Sequence, residues 1–380
     1  MQLVRFSSAF ARPYGFNKQF RGRQIVLDSV NLGFDDVLYS LFDKYAKNKK
    51  PISVDFRKIV PDVAFGSRAT HLIHTYPAKL LPHIPYFFLN NNFLSQPGDN
   101  VLDPFCGSGT VLLEALLAER NAFGADSNPL ARLITRVKTT SLDIDILKRS
   151  SSRLLSRIKE TPSYPTPDFN NIEYWFYPHV IRKLAAIKEA IDQTRNKEIK
   201  DFFLVCFSNC TKKVSLADPR LSVPVRLRKE QYSSDHILRA VSAKHLRRLK
   251  RINVNNEFIK ILNTNIKRLQ SFTCIQTSNV RASIISKDAR TINSSLSRVH
   301  RNQDLDLIIT SPPYAGAQKY IRSSSLGMGW LGMCDEKSLK FYENLSIGRE
   351  HYRKSEYCEL VTTGLSNADN MLKMIHKKMD

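Results

Sequence analysis

Three short stretches hold residue types from which a transfer reaction could be assembled: DPFCGSGT at 103–110, the acid Asp126, and TSPPY at 310–314. In the first, an apolar strand ends at Asp103, and Gly107 and Gly109 let the backbone turn sharply while leaving room for a ligand. The helix expected next presents the free N–H groups of its first turn. Glycine loops of this kind serve nucleotides in general, and some are bare strand–helix turns. This one is not a GxxxxGK[ST] phosphate loop, because no Lys follows. Asp103 would repel phosphate but could pair with a cationic amino-acid moiety. Asp126 ends a second strand about 20 residues on, where a carboxylate can accept both hydroxyls of a ribose. Capping of the next helix is the plainer alternative for Asp126.

TSPPY adds a different chemistry. Pro312 and Pro313 have fixed φ angles and no N–H donors, so they stiffen the loop and leave carbonyls free. Ser311 contributes a hydroxyl and Tyr314 a flat face. Oxygens that accept the hydrogens of an amino group, with a ring to stack on, can grip a planar base. Alone, SPPY is often a Pro-rich turn or ligand motif; its meaning here comes from its position after an apolar strand.

The elements around these residues read as one alternating pattern. Residues 100–102 form a short strand, 111–120 a helix, and 121–126 a second strand. The segment NPLARLITRVKT forms another helix, with Asn128 as cap and Pro129 in its first turn. Upstream, KLLPHIPYFFL is expected to be a helix with Pro near its start. ASIISKDAR (282–290) and LDLIITSPPY (305–314) are apolar strands that deliver polar residues at their C-terminal edge, where open α/β sheets bind ligands. This is the opening of a doubly wound, Rossmann-like α/β sheet. Between about 141 and 280 the periodicity is lost.

The chain has 380 residues and a formal net charge of +23, from 58 Lys and Arg against 35 Asp and Glu. That surplus suits a polyanion better than a neutral metabolite. Residues 201–303 hold 20 Lys and Arg against 6 Asp and Glu, so over half of the surplus lies there. Asp218-Pro219 and Ser222 to Pro224 mark a loop in that stretch. Its densest cluster, KHLRRLKR at 244–251, is either a solvated helix face or a phosphate contact. No apolar run approaches the roughly 20 residues that span a bilayer, so no membrane partner is expected. The six Cys form no CxxC pair and no His completes a zinc site, so no metal is expected; single cysteines suit a reducing cytoplasm. The first 27 residues have Arg and Lys but no acid, which fits a basic arm as well as a transit peptide.

DPFCGSGT resembles the cofactor motif of the amino-group DNA methyltransferases, and TSPPY resembles their catalytic motif in its cytosine-N4 form. Adenine-directed relatives more often carry Asp or Asn where this chain has Ser311. HTYPAKLLP (74–82) is similar to the segment that packs over the cofactor's methionine end. Residues 126–129 match the segment after the second strand, and Asp288 sits where the third strand supplies a contact to adenine. The similarity covers residues 61–140 and 280–350. The resemblance implies S-adenosylmethionine as cofactor, bound by Thr75, Tyr76, Pro77, Asp103, Pro104, Phe105, Gly107, Ser108, Gly109, Thr110, Asp126, Ser127, Asn128, Asp288 and Ala289. Ser311, Pro312, Pro313 and Tyr314 would be catalytic. It implies methylation of cytosine N4 in double-stranded DNA by direct transfer, in a restriction–modification setting with a cognate restriction endonuclease as candidate partner. No Pro-Cys pair is present for carbon-5 chemistry. Adenine-N6 methylation, RNA guanine methylation and a non-catalytic DNA-binding subunit are the alternatives.

The expected organisation is an N-terminal arm and helical segment (1–60), a cofactor-binding half (61–140), a basic insertion and candidate DNA-recognition region (141–280), and a catalytic half (281–380). Family members continue past the catalytic helix to three more strands, and none is found here after the helix expected at 365–378. A truncated chain, or a split enzyme whose sheet a second chain completes, is therefore expected.

Overall fold

A computed structural model describes residues 3–4, 33–60, 67–160, 167, 171–276, 278–299, 304–314, 319–347 and 362–377. Most of the basic N-terminal arm lies outside these residues. The sheet has four parallel strands, β1 (Asn100–Asp103), β2 (Asn121–Ala125), β3 (Ala282–Ser286) and β4 (Leu307–Ile308), in the order β3-β2-β1-β4. The chain starts in the middle, steps outward twice, then returns to the other flank of β1. The reversal falls between β1 and β4, and ligand crevices of open α/β sheets form outside the strand ends at such a switch.

Register brings the two motifs level. Val101 pairs with Leu307 and Leu102 with Ile308, and the Ile309 N–H donates to the Leu102 carbonyl at 3.0 Å. One step further, Asp103 lies level with Ile309, and the next residue, Thr310, reaches back to it with its hydroxyl.

α1 (Phe34–Asn48) packs on α2 (His83–Leu89), with the Phe34 ring edge-on to Phe87; α2 packs on α3 (Thr110–Leu117), and α3 packs on β1 and β2. Every residue of α3 through Leu116 is buried, and each fully buried Leu or Val contributes about 1.5–3 kcal/mol. α4 (Pro129–Thr139) starts as its sequence dictates: the Asn128 side chain accepts from the N–H groups of Leu130 and Ala131, with Pro129 at the first position. The Pro-rich stretch yields α2, which begins just after Pro82.

The described residues between 141 and 280 are largely helical, contrary to the loss of pattern in the sequence. It folds into α5 (Ile144–Glu160), α6 (Pro178–Asp192), α7 (Lys197–Val214), α8 (Ile237–Lys250) and α9 (Val254–Ile275). In α7 the buried Ile199, Phe202, Phe203, Cys206, Phe207, Cys210 and Val214 keep helical spacing; the unbroken apolar run from Phe202 to Phe207 masks the period. Beyond the sheet come α10 (Ile292–Val299), α11 (Tyr320–Trp330), α12 (Glu336–Leu345) and α13 (Ser366–His376). α7 packs on α4, α9 and α11, and the Phe207 ring meets Trp330 edge-on with centroids 6.0 Å apart. Of the inserted helices, α5, α6, α7 and α9 thus share one core with the sheet helices. Among the described residues no helix is long and apolar enough to cross a membrane.

Candidate active site

A cavity of about 400 Å³ opens at the C-terminal rim of the sheet, between the ends of β1 and β4. That is within the range of small-molecule sites, about 300–1,000 Å³. The β1 loop supplies Asp103, Pro104, Phe105, Gly107, Ser108 and Thr110, and the β2 loop Asp126, Ser127 and Asn128. Asp288 and Ala289 enter from the loop after β3, Ser311 and Pro313 from the loop after β4, and Tyr76 closes one wall. The two motifs, about two hundred residues apart, therefore face one space.

The β1 loop is held from both sides. The Gly107 N–H donates to Asp126 Oδ2 at 2.9 Å, and its carbonyl accepts from the Thr135 hydroxyl at 2.9 Å. Gly107 sits at φ +51°, a conformation that favours glycine. Asp126 Oδ1 accepts from the Asn128 N–H at 2.8 Å. Each carboxylate oxygen keeps a lone pair for a ligand hydroxyl. Burial pushes the Asp126 carboxyl above its ordinary range, opposed by those two N–H donors and by Arg132.

Asp103 is the more confined acid, at 3% exposure. Its Oδ1 accepts from the Phe105 N–H at 3.1 Å and from the Thr310 hydroxyl at 2.7 Å. Burial pushes it up to about 7; the two hydrogen bonds oppose the rise, and nearby Asp126 adds to it. Ser108 leaves its buried hydroxyl with no partner among the described residues. A native fold rarely tolerates such an orphan unless something else binds there.

Five residues expected at the site do not themselves line the cavity. Gly109 does not line the cavity: at φ +76° an added Cβ would lie 2.7 Å from Thr135 Cγ2, so its role is close packing. Thr75 and Pro77 border a small crevice beside the cavity, and the Thr75 N–H is tied to Asn209 Oδ1 at 3.1 Å. Pro312 and Tyr314 flank the lining residues, with Tyr314 at 51% exposure. Asp288 lines the wall, but its carboxylate is gripped by the Arg290 guanidinium, with Nη2 to Oδ2 at 2.6 Å.

Other lining residues had no signal strong enough to single them out. Lys79 turns its ammonium to the carbonyls of His71 and His74, both at 3.2 Å. Lys287 and Arg290 flank Asp288, and Tyr320 begins α11. Asn344 to Ile347, at the end of α12, form a lip over the cavity. Only the fold brings that distant helix end back to the rim.

A family profile described as DNA methylase matches residues 68–135, the stretch containing the β1 loop, Asp126 and most of α4. The Type II methyltransferase M.MvaI of Kocuria varians is 29% identical over 298 residues, covering 73% of this chain and 62% of its own. The Type II methyltransferase M.BsoBI of Geobacillus stearothermophilus is 24% identical over 330 residues, 80% of this chain and 60% of its own. The Type II methyltransferase M.MjaII of Methanocaldococcus jannaschii is 36% identical over 94 residues, 25% of this chain and 17% of its own. The chain thus spans less than two thirds of the length of these relatives. No solved structure matches it. The parallel sheet, the paired rim loops and these likenesses agree in supporting the amino-methyltransferase family of DNA methylases.

Proposed function

We propose that this chain transfers the methyl group of S-adenosylmethionine to the exocyclic N4 of cytosine at specific sites in duplex DNA. The observation that carries this reading is the convergence of Gly107 and Ser311 on one cavity, across a switch point spanned by Thr310 and Asp103. Members of the family use S-adenosylmethionine as methyl donor. The residues present fit it: two carboxylates at the wall, an unsatisfied Ser108 hydroxyl and a left-handed glycine that keeps the loop close.

When bound, the cofactor supplies a methyl group on a sulfonium centre. Asp103 holds the cationic amino-acid end, and Asp126 takes ribose hydroxyls on its remaining lone pairs. The backbone at Asp288 and Ala289 borders the adenine, its carboxylate being committed to Arg290. Tyr76 lines the wall, with Thr75 and Pro77 fixing its approach. On the other side, the Ser311 hydroxyl and the Pro312 carbonyl accept the hydrogens of the cytosine amine. The nitrogen lone pair, otherwise delocalised into the ring, becomes more available, and positioning supplies much of the remaining acceleration. Tyr314, half-exposed at the rim, stacks on a base that has left the duplex at a cost of about a few kcal/mol. Ser311 favours cytosine over adenine, since adenine-directed relatives more often hold Asp or Asn there.

Residues 61–140 then act as the cofactor half and 281–380 as the catalytic half. The helical insertion of 141–280 contacts DNA together with the 1–60 segment. The outer side of β4 is where a second chain would add strands. The test is incubation with labelled S-adenosylmethionine and mixed duplex DNA, followed by digestion to nucleosides. N4-methylcytosine is expected; N6-methyladenine would overturn the base assignment, and no labelled nucleoside would overturn the enzymatic reading.

A further inference from the structure

Away from the cavity, the densest uncompensated charge lies on α8, ILRAVSAKHLRRLK, which has five Lys and Arg and no acid. Ser242 and Leu249 are its buried positions, and His245 lies near Asp218 and Arg220 of the preceding loop. The opposite stripe, at helical spacing from Ile237 through Val241 and Lys244 to Arg248, faces outward. It is divided. Its first half is apolar, with Ile237 75% and Val241 50% exposed; its second half is Lys244, Arg247 and Arg248.

Among the described residues none of these three cations has an acidic partner; nearby ion pairs use Lys213, Arg220, Lys229 and Lys260 instead. A helix face kept only for solubility needs neither the apolar half nor cations of one sign. A DNA major groove uses both: it is about 12 Å wide, admits a helix, and offers phosphates at its rims and methyl groups on its floor. The loop leading into α8 also reaches the site, since Pro224 shares a crevice with Tyr76 and Ser324.

We propose that α8 docks in the major groove of duplex DNA, with Lys244, Arg247 and Arg248 on phosphates and Ile237 and Val241 against sugar edges and base methyl groups. The inference rests on the proposed function, to which it adds the element that holds the duplex. The test is anisotropy titration of the whole chain with a labelled mixed-sequence duplex over a range of salt. Each phosphate contact contributes about 0.9 to the slope of log affinity against log salt. K244Q/R247Q/R248Q should lower that slope by about 2–3. K148Q/R149Q/R153Q, which removes three exposed charges from α5, should change it by less than one contact. I237S/V241S should weaken binding with the slope kept. S-adenosylhomocysteine affinity, read by calorimetry, should be unchanged in all three.

An unaltered slope in the α8 variant, an equal fall in the α5 variant, or an effect on duplex RNA but not DNA overturns the docking. Methyl transfer is read separately. An active enzyme with unaltered α8 slopes keeps the function and removes the docking. A parent chain that binds duplex through α8 but transfers nothing supports the docking and removes the function.

Discussion

The Thr310 hydroxyl donates to Asp103 Oδ1 at 2.7 Å, joining the end of β1 to the loop that leaves β4, 207 positions apart. The bond fixes the start of the SPPY loop against the acid at the head of the glycine loop, so the two halves of the site are set by one contact. Hydrogen bonds to charged groups are worth about 1.5–3 kcal/mol. Thr310→Val should therefore weaken S-adenosylhomocysteine binding roughly ten- to a hundredfold on that scale, and Thr310→Ser should restore most of it. Calorimetry on both variants checks this; equal affinity in Thr310→Val would show that the contact positions nothing.

Asp103 also sets a pH dependence. Burial raises its carboxyl to about 7 in the ligand-free fold, so below that pH the acid is largely protonated. A cationic ligand end needs the carboxylate, so binding must release that proton. Cofactor affinity should fall about tenfold for each pH unit below 7 and level off above it. Asp103→Asn should bind weakly at every pH, with a flat profile. A flat profile in the parent chain would remove Asp103 from the cation's contacts.

The Gly109 position tests local packing rather than chemistry. Gly109→Ala combines a left-handed backbone with a Cβ 2.7 Å from Thr135 Cγ2 and 2.9 Å from its hydroxyl oxygen. Overpacking of this kind costs about 1–3 kcal/mol before the backbone term is added. Thermal melting should show a clear drop. Adding Thr135→Ala removes both close atoms, so the double variant should be more stable than the sum of the single effects. Strict additivity would contradict the close approach.

Glu114 anchors the segment that carries Tyr76. It lies on α3 with a fully buried side chain, paired with the Arg68 guanidinium and the His71 ring. Breaking a buried pair from one side costs about 3–5 kcal/mol. Glu114→Gln should lower stability on that scale and loosen the 68–76 segment, seen as faster amide exchange there. Unchanged exchange would mean that the segment is held by its apolar contacts alone.

These relationships were unevenly legible in the sequence. The strand–loop–helix units at 100–139 could be read because short local rules act there: an Asn cap, a Pro in the first turn, glycines at the bend. The meeting of Asp103 with Ser311 followed from both lying at strand ends of one sheet. The insertion was opaque because an unbroken apolar run such as Phe202 to Phe207 carries no period that tells a helix from a strand. The lip from Asn344 to Ile347 was invisible for another reason. It has no motif, and its place depends on how α12 packs against α11.

Tyr314 separates catalysis from binding. It stands 51% exposed at the edge of the cavity, past the Ser311 and Pro313 that line it. On the proposed function its ring meets a base rather than the cofactor. Base–aromatic stacking is worth about 1–3 kcal/mol. Tyr314→Ala should therefore leave S-adenosylhomocysteine affinity within about twofold of the parent and cut methyl transfer by roughly ten- to a hundredfold on that scale. Tyr314→Phe should retain most of the rate, because the flat face matters more than the hydroxyl. Steady-state kinetics with tritiated cofactor distinguish the two variants. A Tyr314→Ala enzyme with parental turnover would show that the base is held elsewhere.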